Sequence, residues 1–386
     1  MTFVIPPLAS SRPEQVSTRL IFFIAGFSIA AWAPLVPFVQ TRSGIGNGGL
    51  GLLLLCFGVG SILAMPMAGA LTARFGCRRV ILFSAAPLCF VLPALAVLSN
   101  PVSLGIALLA FGAAMGATDV SMNIQAVLVE RVSGRPMMSG FHGFYSFGGL
   151  AGAACMTALL GLGVSPFAVA LWIAGGVAAA LVSAATHLLP HGGERESPAF
   201  AVPRGGVLVI GVLCFAAFLA EGAILDWGAV FLATMRGMDA IHAGLGYTVF
   251  SVAMTVFRFR GDRIVRRFGG GAVIVCGGLC AAAGFAIVAL APHWVSTLGG
   301  YALVGAGCAN IVPVLFTSAG RQTAVPEHAA ISAVTTFGYA GILTGPVAIG
   351  FVALGAGLPV AFLILAVLQL GVAAAGYRTR AKLMIG

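Results

Sequence analysis

Apolar stretches of about 20 residues recur from one end of this sequence to the other, and nearly every positive charge falls in the short gaps between them. A helix of about 20 apolar residues crosses the hydrocarbon of a bilayer, and a chain built from such stretches has no surface to offer water. The expected spans are 17–40, 48–72, 80–98, 102–128, 139–163, 166–189, 206–234, 241–258, 271–291, 294–319, 329–353 and 358–377. Composition agrees: 60% of the residues are hydrophobic and 8% charged, against about a quarter charged in soluble domains. The 54 glycines are about twice the usual share and suit helices whose backbones approach closely. Residues 1–16 are polar, so the first apolar run reads as a retained span rather than a cleaved leader. The fold class expected is all-α integral membrane, with twelve transmembrane helices.

Twelve spans put both ends of the chain on one side, and the basic residues say which. Of the 20 Lys and Arg, 18 fall in gaps on one face, and only Arg42 and Arg236 fall on the other. Positive charge marks the cytoplasmic face, so both termini are expected there, in a multi-pass protein of the cytoplasmic (inner) membrane. The net charge of +10 is therefore a topology signal. It does not imply a nucleic-acid partner, for no aromatic residues interleave the arginines.

The polar segment HGGERESPAF (191–200) divides the chain into a half at 1–190, a short cytoplasmic linker at 191–205 and a half at 206–386. The halves echo each other. GALTARFGCRR (69–79) is answered by RFRGDRIVRRFG (258–269), GATD (116–119) by GCAN (307–310), and SFGGLAG (146–152) by TFGYAGI (336–342). Pairing Ala73 with Asp262, Phe147 with Phe337 and Asp119 with Asn310 gives offsets of 189, 190 and 191. Two parallel six-helix halves place a transported solute between them, near the bilayer midplane.

Much else is excluded. The sole lysine, Lys382, lies in the tail, so no phosphate-binding G-x-x-x-x-G-K loop exists. No H-E-x-x-H or G-x-S-x-G occurs, so no enzymatic activity is expected. The eight cysteines form no C-x-x-C and no metal spacing with histidine, so neither a metal nor another cofactor is expected.

The segment GALTARFGCRR resembles the loop 2–3 signature of the major facilitator superfamily, G-x3-D-R-x-G-x-R-R. Gly69, Arg74, Gly76, Arg78 and Arg79 match, and Ala73 stands where the family has an acid. In the family that acid helps hold one conformational state through charge and helix-end contacts. The resemblance implies that Asp262 and Arg263 supply this role in the second half. The stretch TDVSMNIQAVLVERVSGRPMMSGFHGFYSFGGLAG (118–152) is similar to the fucose:proton symporter branch. Asp119 stands for its span-4 acid, Asn123 for the asparagine four residues on, Phe144, Ser146, Phe147 and Gly148 for its F-x-S-F-G, and His142 where that branch has glutamine. The resemblance implies a carrier working by alternating access.

Several residues are candidates for chemistry. Asp119 and Asn123 share one face of span 4, and Glu130 returns to within about 20° of that face. Burial disfavours an ionised carboxyl, which suits a proton carrier, and intramembrane acids usually line a pathway. His142, Tyr145, Ser146 and Gly149 form a polar face on span 5. In span 7, Glu221 and Asp226 point about 140° apart. Glu221 is expected to face the solute cavity and Asp226 to pack as a hydrogen-bonded acid against small residues, with Trp227 as an interfacial anchor. Tyr247 and Ser251 in span 8, Asn310 in span 10, and Ser332, Thr336 and Tyr339 in span 11 add further polar stripes. Trp32, mid-span, either packs or faces a solute ring. Asp119, Glu221 and Asp226 are thus the candidate proton-coupling residues. Asn123, His142, Tyr145, Ser146, Trp32, Tyr247, Asn310 and Tyr339 are the candidate solute contacts.

With every arginine placed outside the middle of a span, an anionic solute is disfavoured. The favoured expectation is proton-coupled symport of a small neutral, sugar-like solute. The alternatives are a proton antiporter exporting drugs or metabolites, and a membrane scaffold that transports nothing. The partners expected are the solute, protons and the lipid bilayer, with a single chain as the unit.

Overall fold

The computed structural model describes residues 12–45, 47–192, 203–238, 242–323 and 325–383. Residues 193–202, most of the expected linker and Arg195 with it, lie outside the described residues. Among the described residues the chain is helical throughout, without a strand. Twelve long helices follow one another: α1 (Arg12–Ser43), α2 (Asn47–Phe75), α3 (Cys77–Val97), α4 (Pro101–Ser133), α5 (Met138–Gly161), α6 (Pro166–Ala185), α7 (Gly206–Arg236), α8 (Leu245–Phe268), α9 (Gly270–Leu290), α10 (Trp294–Arg321), α11 (Glu327–Ala356) and α12 (Leu358–Leu383). Eleven of them are long and apolar enough to cross a membrane. The exception is α8, which is long enough at 24 residues but carries Arg258, Arg260, Asp262, Arg263, Arg266 and Arg267. The span expected at 241–258 stops short of this helix, which continues to Phe268.

Local sequence sets the helix starts and interruptions. Asn100 caps α4 by accepting from the Val102 amide at 2.8 Å, with Pro101 at the first helical position. Ser165 and Pro166 repeat the device at α6. An N-cap oxygen satisfies amides that the first turn leaves open, and proline there has no amide to lose. Prolines also mark the interruptions. A 3-10 turn at Ala33–Leu35 interrupts α1, the helix lapses at Ala86–Pro87 in α3, and it lapses again at Ala309–Asn310 in α10, ahead of Pro313. By contrast α11 runs through Pro346 as one helix.

The helices gather into two compact units, Met1–Arg135 with Phe144–Pro203 and Val325–Ala333, and Pro136–Gly143 with Arg204–Ala324 and Val334–Gly386. The start of α5 therefore packs with the second unit and the start of α11 with the first. In the first unit, Gly112 of α4 lies against the Phe57 carbonyl of α2, and Gly148 of α5 lies against the Phe23 carbonyl of α1. In the second, Gly305 of α10 lies against the Phe250 carbonyl of α8, and Gly341 of α11 against the Phe215 carbonyl of α7. A methyl group at any of the four would run into that carbonyl, so each helix pair crosses backbone on backbone.

These contacts give the register of the duplication. Gly112 and Gly305 are 193 positions apart, as are Phe57 and Phe250, and Gly148 and Gly341. So are Gly76 and Gly269, which end α2 and α8 with φ of 87° and 80°, a backbone only glycine adopts freely. Helices α1 and α7 run at 192 (Phe23 and Phe215). The offsets of 189 to 191 read from the sequence are thus short by two to four residues. On the true register Asp262 answers Gly69 rather than Ala73, Asn310 answers Ala117 rather than Asp119, and Asp119 answers Val312.

Candidate functional site

Each unit has its own polar centre. In the first, Asp119 is 8% exposed and Asn123 fully buried on one face of α4. The Asn123 amide donates to the Asp119 backbone carbonyl at 2.9 Å and, at 3.4 Å, to its Oδ1. The Asn123 Oδ1 is buried with no hydrogen-bond partner. Neighbouring polar groups on α4 are tied into packing instead. Thr118 donates to Ser84 of α3 at 2.9 Å. Gln125 donates to Thr18 of α1 and accepts from the Leu189 amide after α6. Trp32 is buried.

In the second unit the centre is an ion pair. Arg258, in the middle of α8, is 5% exposed. Its Nη2 donates to both carboxylate oxygens of Glu221 on α7, at 3.3 and 3.4 Å. Its Nε donates to the Ala309 carbonyl of α10 at 3.2 Å. The cause of that last bond lies in the sequence. The helical partner of the Ala309 carbonyl is the amide of residue 313, which is proline and has none. Arg258 supplies the missing donor. In return the Asn310 side-chain amide donates to the Phe257 carbonyl of α8 at 3.1 Å. Tyr247 and Ser251 lie one turn apart on α8, with Arg258 further along it. Exposure grades along this group: Tyr247 is 41% exposed, the Glu221 side chain 16% and the Arg258 side chain 6%. His142, at the start of α5, is buried against Phe316, with ring centroids 5.7 Å apart, and lies within reach of the Arg258 charge.

Three expectations change here. Arg258 is not a loop charge beyond the end of a span, and the view that no cation occupies the middle of a span is corrected with it. Asp226 is exposed rather than packed. Trp227 is not an exposed anchor either: it lies against the apolar cluster of its unit, with its ring edge on Gly350. Tyr145, Ser146 and Tyr339 are half-buried.

The loop signatures carry their own contacts. Gly69 packs under Ser332 and the His328 carbonyl at the start of α11, and Ser332 donates to the Met65 carbonyl at 2.8 Å. Arg131 and Glu327 form an ion pair at 3.0 Å in that unit. Gly76 lies against the Pro190 carbonyl, and the Arg78 amide donates to the Leu189 carbonyl at 2.8 Å. The side chains of Arg74, Arg78, Arg79 and Arg263 are exposed. Asp262 meets a helix end, for both its carboxylate oxygens accept from the Gly140 amide, in the first turn of α5, at 3.1 Å. A carboxylate is favourable against the open amides of a helix start.

Arg42 and Arg236 are also explained. Arg42 donates to the Leu95 and Leu98 carbonyls at the end of α3, at 2.9 and 2.7 Å. Arg236 donates to the Val288 and Ala289 carbonyls at the end of α9, at 2.8 and 3.0 Å. Each satisfies carbonyls that a helix end leaves open.

The sequence model of the Major Facilitator Superfamily matches residues 20–320. The chain belongs to the major facilitator superfamily. It is 53% identical to an uncharacterized MFS-type transporter of Yersinia pestis over 94% of each chain. It is 32% identical to an uncharacterized transporter of Sinorhizobium fredii, over 89% of this chain and 92% of the relative. Among solved structures its fold is that of the Escherichia coli fucose:proton symporter (TM-score 0.77, 18% identity, 94% and 98% of the two chains covered). It is equally that of the human organic anion transporter MFSD10 (TM-score 0.79, 16% identity, 95% and 99% covered). This facilitator is therefore a multi-pass membrane protein of a family of small-molecule transporters, not of enzymes. Sequence reasoning missed the partner of Glu221 in this transporter. The available signal was Pro313, which left a carbonyl in need of a donor.

Proposed function

We propose that this facilitator is a proton-coupled symporter of a small polar solute, with Asp119 as the residue that gains and loses the proton. The observation that carries the reading is the setting of Asp119: a buried carboxyl whose side-chain hydrogen-bond donor is the neutral amide of Asn123. An uncompensated carboxylate in a low-dielectric site is costly, so such an acid is stable in its protonated form and changes state when water reaches it. Tyr247 and Ser251 offer hydroxyls to a hydroxylated solute. The restriction to neutral solutes no longer stands, because it rested on the absence of an interior cation. The excess of arginine on one face supports cytoplasmic termini in the inner membrane. The six-helix duplication within one chain supports a monomer as the working unit.

The test uses the full chain in right-side-out vesicles, with an inward proton gradient and a panel of labelled sugars, sugar acids and polyols. Accumulation of a panel member is expected, together with a clearly weaker pH dependence in Asp119→Asn. Extrusion instead of uptake would support an exporter. Unchanged proton dependence in Asp119→Asn would remove Asp119 from the mechanism.

A further inference from the structure

The Glu221–Arg258 pair is built unlike a structural salt bridge. A strong guanidinium–carboxylate pair uses two parallel bonds at about 2.7–2.9 Å. Here a single nitrogen, Nη2, straddles both oxygens at 3.3 and 3.4 Å. The guanidinium is held by other means: its Nε is fixed on the Ala309 carbonyl that Pro313 leaves open. The cation is thus oriented whether or not Glu221 stays. Along the same group, Tyr247 is 41% exposed, Ser251 and Glu221 are half-buried and Arg258 is 5% exposed. Among the described residues, Arg258 is the only arginine in the buried class. A fixed, desolvated guanidinium with a loosely held carboxylate is a site suited to exchanging one carboxylate for another.

We propose that Arg258 binds a carboxylate group of the transported solute, and that Glu221 is the resident carboxylate which the solute displaces. This deepens the transport reading above and rests on it. As the solute carboxylate takes the guanidinium, the Arg258–Glu221 contact breaks and one Glu221 oxygen forms an O–H bond with a proton from solvent. The buried net charge is then the same before and after: arginine balanced by one carboxylate. The ionisable groups around this exchange are Asp226 on the same helix, Tyr247 on α8, Cys308 on α10 and His142 at the start of α5. The hydroxyls of Tyr247 and Ser251, on the same helix as Arg258, suit a solute that also carries hydroxyls, as a sugar acid does.

The test reads binding without any proton gradient, so its outcome is independent of whether Asp119 couples transport. Thermal unfolding of the purified full chain is followed with sodium acetate, lactate, gluconate and glucuronate, against chloride, sulfate and phosphate at matched ionic strength. At least one carboxylate is expected to raise the midpoint of Glu221→Gln by roughly 3 °C or more, at a half-saturating concentration about tenfold below that of the unaltered chain, since its internal competitor is gone. The double variant Glu221→Gln/Arg258→Gln, which removes both charges together, is expected to show no response. The proposal is overturned by a response that persists in the double variant, by an equal response to sulfate or phosphate, or by no carboxylate response in Glu221→Gln. Should that variant fail to fold, the comparison of the unaltered chain with the double variant decides by the same criteria.

Discussion

The two units of this transporter share a scaffold and differ in where they place charge. Gly112 on Phe57 answers Gly305 on Phe250, and Gly148 on Phe23 answers Gly341 on Phe215. Arg42 on the end of α3 answers Arg236 on the end of α9. Yet Arg258 stands where the first unit has Met65, and Glu221 where it has Ile29. Conversely, Asp119 stands where the second has Val312. These four crossings keep glycine in both copies, whereas Gly26 and Gly60, which also lie against carbonyls, answer Phe218 and Ala253. Positions away from these crossings meet no such steric rule, and they have diverged into one lone acid and one ion pair.

The hardest blow to this contrast is Arg258→Gln. It strands Glu221, and removing one partner of a buried pair costs about 3–5 kcal/mol. Thermal unfolding should show a large drop, mostly recovered by adding Glu221→Gln. Met65→Gln, at the matching place in the first unit, has no such partner to recover it. Next come the crossings. Gly112→Ala and Gly305→Ala should each cost about 1–3 kcal/mol, as overpacking does. If denaturation shows one tolerated and the other not, the shared scaffold is refuted at that crossing.

The end caps follow. Arg42→Gln and Arg236→Gln should each lose roughly 1–2 kcal/mol, with Arg236 the more sensitive because its guanidinium also stacks 4.7 Å from the Phe231 ring centroid. Smallest in stability is Asp119→Asn, under about 1 kcal/mol, because Asn123 still has the Asp119 carbonyl. Its effect belongs in flux, whose pH dependence should weaken to the part that Glu221 carries.

Spans, helix class and duplication were legible because lipid imposes them on composition, residue by residue. The register was not. SFG and TFG look alike, but the constraint acts where a Cα meets a carbonyl, and that pairs Gly148 with Gly341, most of a helical turn away from the likeness. Arg258 was misplaced for a related reason. It opens a run of charges that resembles a loop, and only its contacts with Glu221 and Ala309, 37 and 51 residues distant, show that the helix continues. The exposure of Asp226 was equally illegible, since a helical wheel gives directions around an axis but not which neighbours fill them.

The charge in α8 also bears on how the protein is made. An arginine at a helix centre costs about 2.5–3.5 kcal/mol on entering a bilayer, and α8 is the long helix that falls short in apolar character. Its counter-ion, Glu221, is in the helix synthesised just before it. The translocon therefore meets the carboxylate first. Entry as a hairpin with α7 would let α8 cross with its charge already matched.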